Sequence, residues 1–93
     1  MYELIPRYDT RQSFYGKAQV KEDFFEDKKI YELYSYGTLV ASIVFEKGKT
    51  IYEDYGRFSQ TTTRHQKEFF KQNGLTDKEI KELFKGEKLI KEV

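Results

Sequence analysis

The spacing of apolar residues changes period along the chain. Over residues 13–55 it is mostly two, as in a half-buried strand, and in the last third it includes the three-and-four spacing of a helix. Residues 13–21 put Phe14, Gly16, Ala18 and Val20 on one face, with Tyr15, Lys17, Gln19 and Lys21 on the other. Residues 30–36 and 38–46 are the clearest strands, and Gly37 marks a tight turn between them. In the second, Leu39, Ala41, Ile43 and Phe45 face one way and Val40 and Val44 the other, as a central strand would. Lys47-Gly48 predicts a hairpin turn, residues 50–55 the returning strand, and Gly56 its end. The charged residues 22–29 read as a loop that tucks Phe24 and Phe25 onto the sheet.

Two short helices are predicted next. Thr63-x-x-Gln66 has the form of a capping box, with Thr61 and Thr62 as rival N-caps, and this helix runs to about Asn73 with Gly74 as its stop. Thr76-x-x-Glu79 opens a second helix whose Ile80, Leu83 and Phe84 share one face, and Gly86 ends it. Leu89, Ile90 and Val93 suit a short strand or a packed tail.

The expected fold is therefore α+β: an antiparallel sheet of about four strands, then two short C-terminal helices packed on one face. A single domain spans 1–93, with an extended arm at 1–12, the sheet at 13–56, the helical pair at 61–86 and a tail at 87–93. The arm holds the only proline and enters a strand near residues 2–5. No internal repeat, low-complexity segment or linker interrupts this plan.

Composition narrows the function. With 93 residues the chain supports one modest core, and eight Phe and eight Tyr fill it more than aliphatics do. The absence of cysteine excludes disulfides, zinc–thiolate sites and a cysteine nucleophile. No apolar run approaches the roughly 20 residues of a membrane span. The N-terminus lacks the basic start and apolar core of a signal peptide. A cytoplasmic protein with no membrane partner is expected. Net charge is +1 with the signs mixed, so bulk charge does not call for nucleic acid.

The candidate chemistry gathers at residues 59–70. His65, the sole histidine, falls in the first turn of the first helix. One histidine without cysteines does not make a transition-metal site, and no metal or cofactor is expected. Either His65 packs beside Phe69 and hydrogen-bonds to the sheet, or it takes part in binding. Arg64 with Thr62 and Thr63 could hold a phosphate or carboxylate at the helix start; alternatively the threonines cap and Arg64 pairs with Glu68. Tyr34 and Tyr36 share a face opposite Tyr31, Leu33 and Ser35, and Tyr55 adds a ring after the last strand. Exposed tyrosines on a sheet can bind protein or stack unpaired bases.

The stretches Ser13-Phe14-Tyr15-Gly16-Lys17-Ala18, Ser35-Tyr36-x-Thr38-Leu39-Val40-Ala41 and Thr62-Thr63-Arg64-His65, followed by Glu68-Phe69 and Asn73-Gly74, resemble a family of small proteins of unknown function. Such proteins are frequent in phages of Gram-positive bacteria and in their hosts' genomes. The resemblance covers roughly residues 11–75 and implies a phage or mobile-element origin without implying an activity. The reading that follows is a non-enzymatic protein with no catalytic residues that binds a bacterial host protein through Arg64, His65, Thr62, Thr63, Tyr34, Tyr36 and Tyr55. The alternatives are a nucleic-acid binder using the tyrosines with Lys17, Lys21 and Arg64, and a small hydrolase using His65 with Asp54 or Glu53. A second copy could pair along residues 13–21 as an exposed edge strand.

Overall fold

The computed structural model describes residues 1–92. It is an α+β fold with an antiparallel sheet and two helices. In chain order come β1 (Tyr2–Glu3), β2 (Ala18–Phe25), β3 (Lys28–Ser35), β4 (Thr38–Glu46), β5 (Lys49–Asp54), α1 (Gln60–Gln72), α2 (Asp77–Gly86) and β6 (Lys88–Glu92). The sheet has six strands, not about four, and their spatial order is their sequence order. Every pairing is antiparallel. The two extra strands are the arm's β1 and the tail's β6. β1 lies within the strand expected near residues 2–5, and β6 realises the strand rather than the packed tail at Leu89 and Ile90, while Val93 lies outside the described residues.

Three further expectations change. Residues 22–29 form a hairpin rather than a loop, with β2 running to Phe25 and β3 starting at Lys28. Phe24 and Phe25 are 74% and 63% exposed instead of tucked in. The hairpin is held by its ladder and by cross-strand charge, including Lys29 beside Glu22 at 3.9 Å. Lys29 also lies 4.9 Å from the Tyr31 ring centroid. Second, β2 begins at Ala18, because Tyr15 and Gly16 make a turn closed by Lys17 N donating to Phe14 O at 3.0 Å. Third, β1 flanks β2, so residues 13–21 are not a free edge; the edges are β1 and β6.

A register shift at Leu33/Tyr34 places Val40 in the core with Ala41 and Ile43, so β4 departs from strict alternation. Ala18, Val20, Leu33, Ala41, Ile43 and Tyr52 of the sheet join Phe69, Phe70, Ile80 and Leu83 of the helices in one buried cluster. On α1 the buried positions Thr62, His65, Gln66, Phe69 and Phe70 follow the i, i+3, i+4, i+7, i+8 stripe. Its N-cap is Ser59, whose Oγ accepts from Thr62 N at 3.1 Å, not Thr61, Thr62 or Thr63. The cap of α2 is as expected: Thr76 and Glu79 form the reciprocal box. That helix ends at Gly86, but the left-handed residue is Glu87, with φ 67°.

Candidate functional site

Two turns build the site's rim. Tyr36-Gly37 joins β3 to β4, and both residues have positive φ, 52° and 81°. Tyr15-Gly16 does the same before β2, with φ 54° and 73°. Positive φ at both central residues is the type I′ geometry that suits the twist of a hairpin, normally supplied by Asn-Gly. Tyrosine fits it poorly, because a bulky Cβ crowds the backbone there, at a cost of order 1–2 kcal/mol. The turns are tied together by Tyr36 N donating to Lys17 O at 2.8 Å. Their rings point outward, Tyr15 79% and Tyr36 56% exposed.

Between the rings and the start of α1 lies an open cleft of about 370 Å³, lined by Arg11, Lys17, Arg64, Tyr15, Tyr36 and His65 among others. His65 is 1% exposed. Its ring packs 4.5 Å from Phe14 and 5.8 Å from Tyr36, and its Nδ1 lies 2.8 Å from Ser35 Oγ. The sheet contact is as expected; the aromatic neighbours are Phe14 and Tyr36 rather than Phe69. Ser59 Oγ donates to Thr62 Oγ1 at 3.2 Å, and Thr62 Oγ1 lies 2.9 Å from Ser35 Oγ. The Ser35 hydroxyl thus bridges the start of α1 at Thr62 and the His65 ring at Nδ1. Burial lowers the His65 pKa; the Asp9 carboxylate raises it in part and Arg11 lowers it further.

Arg64 does not pair with Glu68. Its guanidinium reaches Asp9 at 3.2 Å and its side chain stays 44% exposed. Glu68 is 2% exposed and holds the arm instead, accepting from the backbone N–H groups of Arg7, Tyr8 and Asp9 at 2.9, 3.0 and 2.9 Å. Gln72 adds a bond to the same carboxylate at 2.6 Å. A carboxylate meeting three consecutive N–H groups from 60 residues away leaves no periodic signature, and sequence reasoning missed it.

The expected site residues fall into separate places. Arg64, His65 and Tyr36 share the cleft. Thr62 is buried beneath it, and Thr63 lies on a neighbouring depression with Ser59 and Lys67. Tyr34 and Tyr36 line an adjoining cleft with Gly16 and Gln19. Tyr55 stands apart, its hydroxyl 2.8 Å from Ser42 Oγ. Asp54 does not reach His65: its Oδ1 accepts from Gln66 Nε2 at 2.8 Å and pairs with Arg57. Burial raises the Asp54 pKa against the pull of Arg57. No cluster of three or more His, Cys, Asp or Glu side chains suited to a metal occurs among the described residues.

No curated protein and no solved structure matches the chain. A family model does match, over residues 2–86, which is wider than the 11–75 of the resemblance and takes in α2. The chain, with its two Tyr-Gly turns set beside α1, belongs to the family of unknown function DUF8033.

Proposed function

We propose that this is a small non-enzymatic binding protein of phage or mobile-element type that engages a bacterial host protein in the host cytoplasm. In this reading the two helices are a layer packed on one face of the sheet, and their role is to hold the cleft's floor. The observation that carries the proposal is the pair of strained Tyr-Gly turns, which hold two exposed rings beside three cations, Arg11, Lys17 and Arg64. Backbone strain persists only where surrounding structure over-determines it, and it concentrates at functional sites. Exposed Tyr and Arg side chains are the groups that most often dominate a protein interface. His65 and Thr62 serve that surface from below, by fixing the ring of Tyr36 and the start of α1.

The same cations and rings also suit single-stranded nucleic acid, where bases stack on tyrosine and Lys or Arg neutralise phosphate. One experiment separates the two. The tagged protein is used for capture from nuclease-treated bacterial lysate, with Tyr36→Ala/Arg64→Ala as the control. A single host protein, absent with the double variant, is the expected result. Equal capture by the double variant would show that another face binds. Capture seen only without nuclease, and falling steeply with salt, would replace this reading with the nucleic-acid one.

A further inference from the structure

A five-residue pattern recurs three times in the sheet, a repeat that periodicity alone did not disclose: Lys28-x-Ile30-x-Glu32 in β3, Lys49-x-Ile51-x-Glu53 in β5 and Lys88-x-Ile90-x-Glu92 in β6. Register sets Ile30 opposite Val44, Val44 opposite Ile51 and Ile51 opposite Ile90. An aliphatic row therefore crosses four strands on the face away from the buried cluster. Ile90 is 47% exposed and the other three are partly exposed. Two charged rows flank it. One runs Glu32, Ser42, Glu53, Lys88; the other runs Glu46, Lys49, Glu92, extended to Lys28 by its ion pair with Glu46. Lys28 and Lys49 meet Glu46 within the sheet, at 3.2 and 3.7 Å. Glu32 and Glu53 have no ion-pair partner among the described residues.

The two rows are complementary to each other. A two-fold axis laid along the aliphatic row turns every strand end for end over its own copy. It puts Glu32 over Lys28 of the second copy, Glu53 over Lys49 and Lys88 over Glu92, with the isoleucines meeting in the middle. An axis parallel to the strands also matches the charges, but it stacks only β3 to β6. The axis along the row stacks β2 as well, leaving Asp23 against itself at the exposed rim. Tyr55, whose hydroxyl bonds to Ser42 on this face, adds a ring to the contact.

We propose that the protein associates with a second copy of itself through this face, sheet on sheet, about the axis along Ile30, Val44, Ile51 and Ile90. Such a face packs as aligned sheets about 10 Å apart do. At about 4.8 Å per strand and about 3.3 Å per residue, five strands by five residues cover roughly 400 Å² per copy, about 800 Å² in all. That area belongs to weak, transient interfaces, so association is expected only at high protein concentration. The Tyr-Gly cleft takes no part, and loss of host-protein capture leaves this association untouched.

The test is sedimentation velocity of the full chain from about 10 µM to about 1 mM. Wild type is expected to pass from monomer to dimer over that range. Glu53→Lys or Lys49→Glu alone sets like charges opposite each other, and each is expected to weaken the dimer by at least about tenfold. An equal mixture of these two variants restores every opposition between copies and is expected to re-form the dimer. The Lys49–Glu46 pairing that Lys49→Glu breaks is not restored by mixing, so recovery cannot come from monomer stability. Ile90→Lys, at a half-exposed position, is expected to abolish association while circular dichroism stays native. A wild type that remains monomeric throughout, or a dimer indifferent to Ile90→Lys, or a mixture that fails to associate would each overturn the proposal.

Discussion

At the level of single residues, His65 shows why a lone titratable group needs its surroundings before its role can be read. The sequence places it in a first helical turn beside Arg64, where it could equally be structural or a binding group. The structure buries it among Phe14, Tyr36 and Ser35. A ring so placed holds the fold together. Replacing it by alanine should cost about 2–4 kcal/mol, from lost packing and the loss of one of the two hydrogen bonds of Ser35. Its pH dependence follows from the lowered pKa. Below about pH 6.5 the unfolded chain takes up a proton on this ring that the folded ring resists. Stability from His65 is therefore complete above that value and declines as pH falls toward the folded pKa. Urea denaturation of wild type and His65→Gln across pH 5 to 8 should show a slope in wild type that the variant lacks. Arg64, half in solvent and tethered only to Asp9, should tolerate alanine with a change within about 0.5 kcal/mol.

Elements carry their own lesson about caps. Ser59, Thr61, Thr62 and Thr63 are all competent N-caps, and sequence pattern cannot rank them when four stand together. Burial ranks them. Thr62 is drawn under the sheet to bond Ser35, which starts the helix at Gln60 and leaves Ser59 in the extended conformation a cap needs. Ser59→Ala should then cost about 1 kcal/mol, more if the hydroxyl chain to His65 is also disturbed, while Thr63→Ala should change stability by less than about 0.5 kcal/mol. Thermal melts of the two variants would reverse in order if Thr63 were the cap. No such competition exists at α2, where Thr76 stands alone before Glu79 and the box was readable at once.

Across the whole molecule, the arm, the sheet and α1 meet at Glu68. Its carboxylate ends the run of backbone donors at Arg7, Tyr8 and Asp9, and Asp9 in turn holds Arg64. Charge-assisted bonds of this kind are worth about 1.5–3 kcal/mol each at best and are not additive, because the donors regain water when freed. Glu68→Ala should lower stability by about 3 kcal/mol. Hydrogen exchange should rise at residues 7–9 before it rises in β3 and β4. Equal exchange across the arm in both proteins would show that Leu4 and β1 anchor it without Glu68.

The α+β class, β3 to β5, the Gly37 and Lys47-Gly48 turns, both helices and the α2 cap were set by sequence alone. Each depends on contacts between near neighbours, where a period or a turn residue is the cause itself. What only the tertiary structure decided came from long-range pairing. Whether the short segments β1 and β6 join the sheet is settled by an adjacent strand that offers a ladder, which their own pattern leaves open. Phe24 and Phe25 stay exposed because their hairpin projects as a paired ladder, and a side chain's hydrophobicity does not say whether a partner lies within reach. Arg64, His65 and Tyr36 come together because the turn at Tyr36 reverses the chain beside the start of α1; Tyr34 stays with Tyr36 on the adjoining cleft, and Tyr55 stands apart over Ser42.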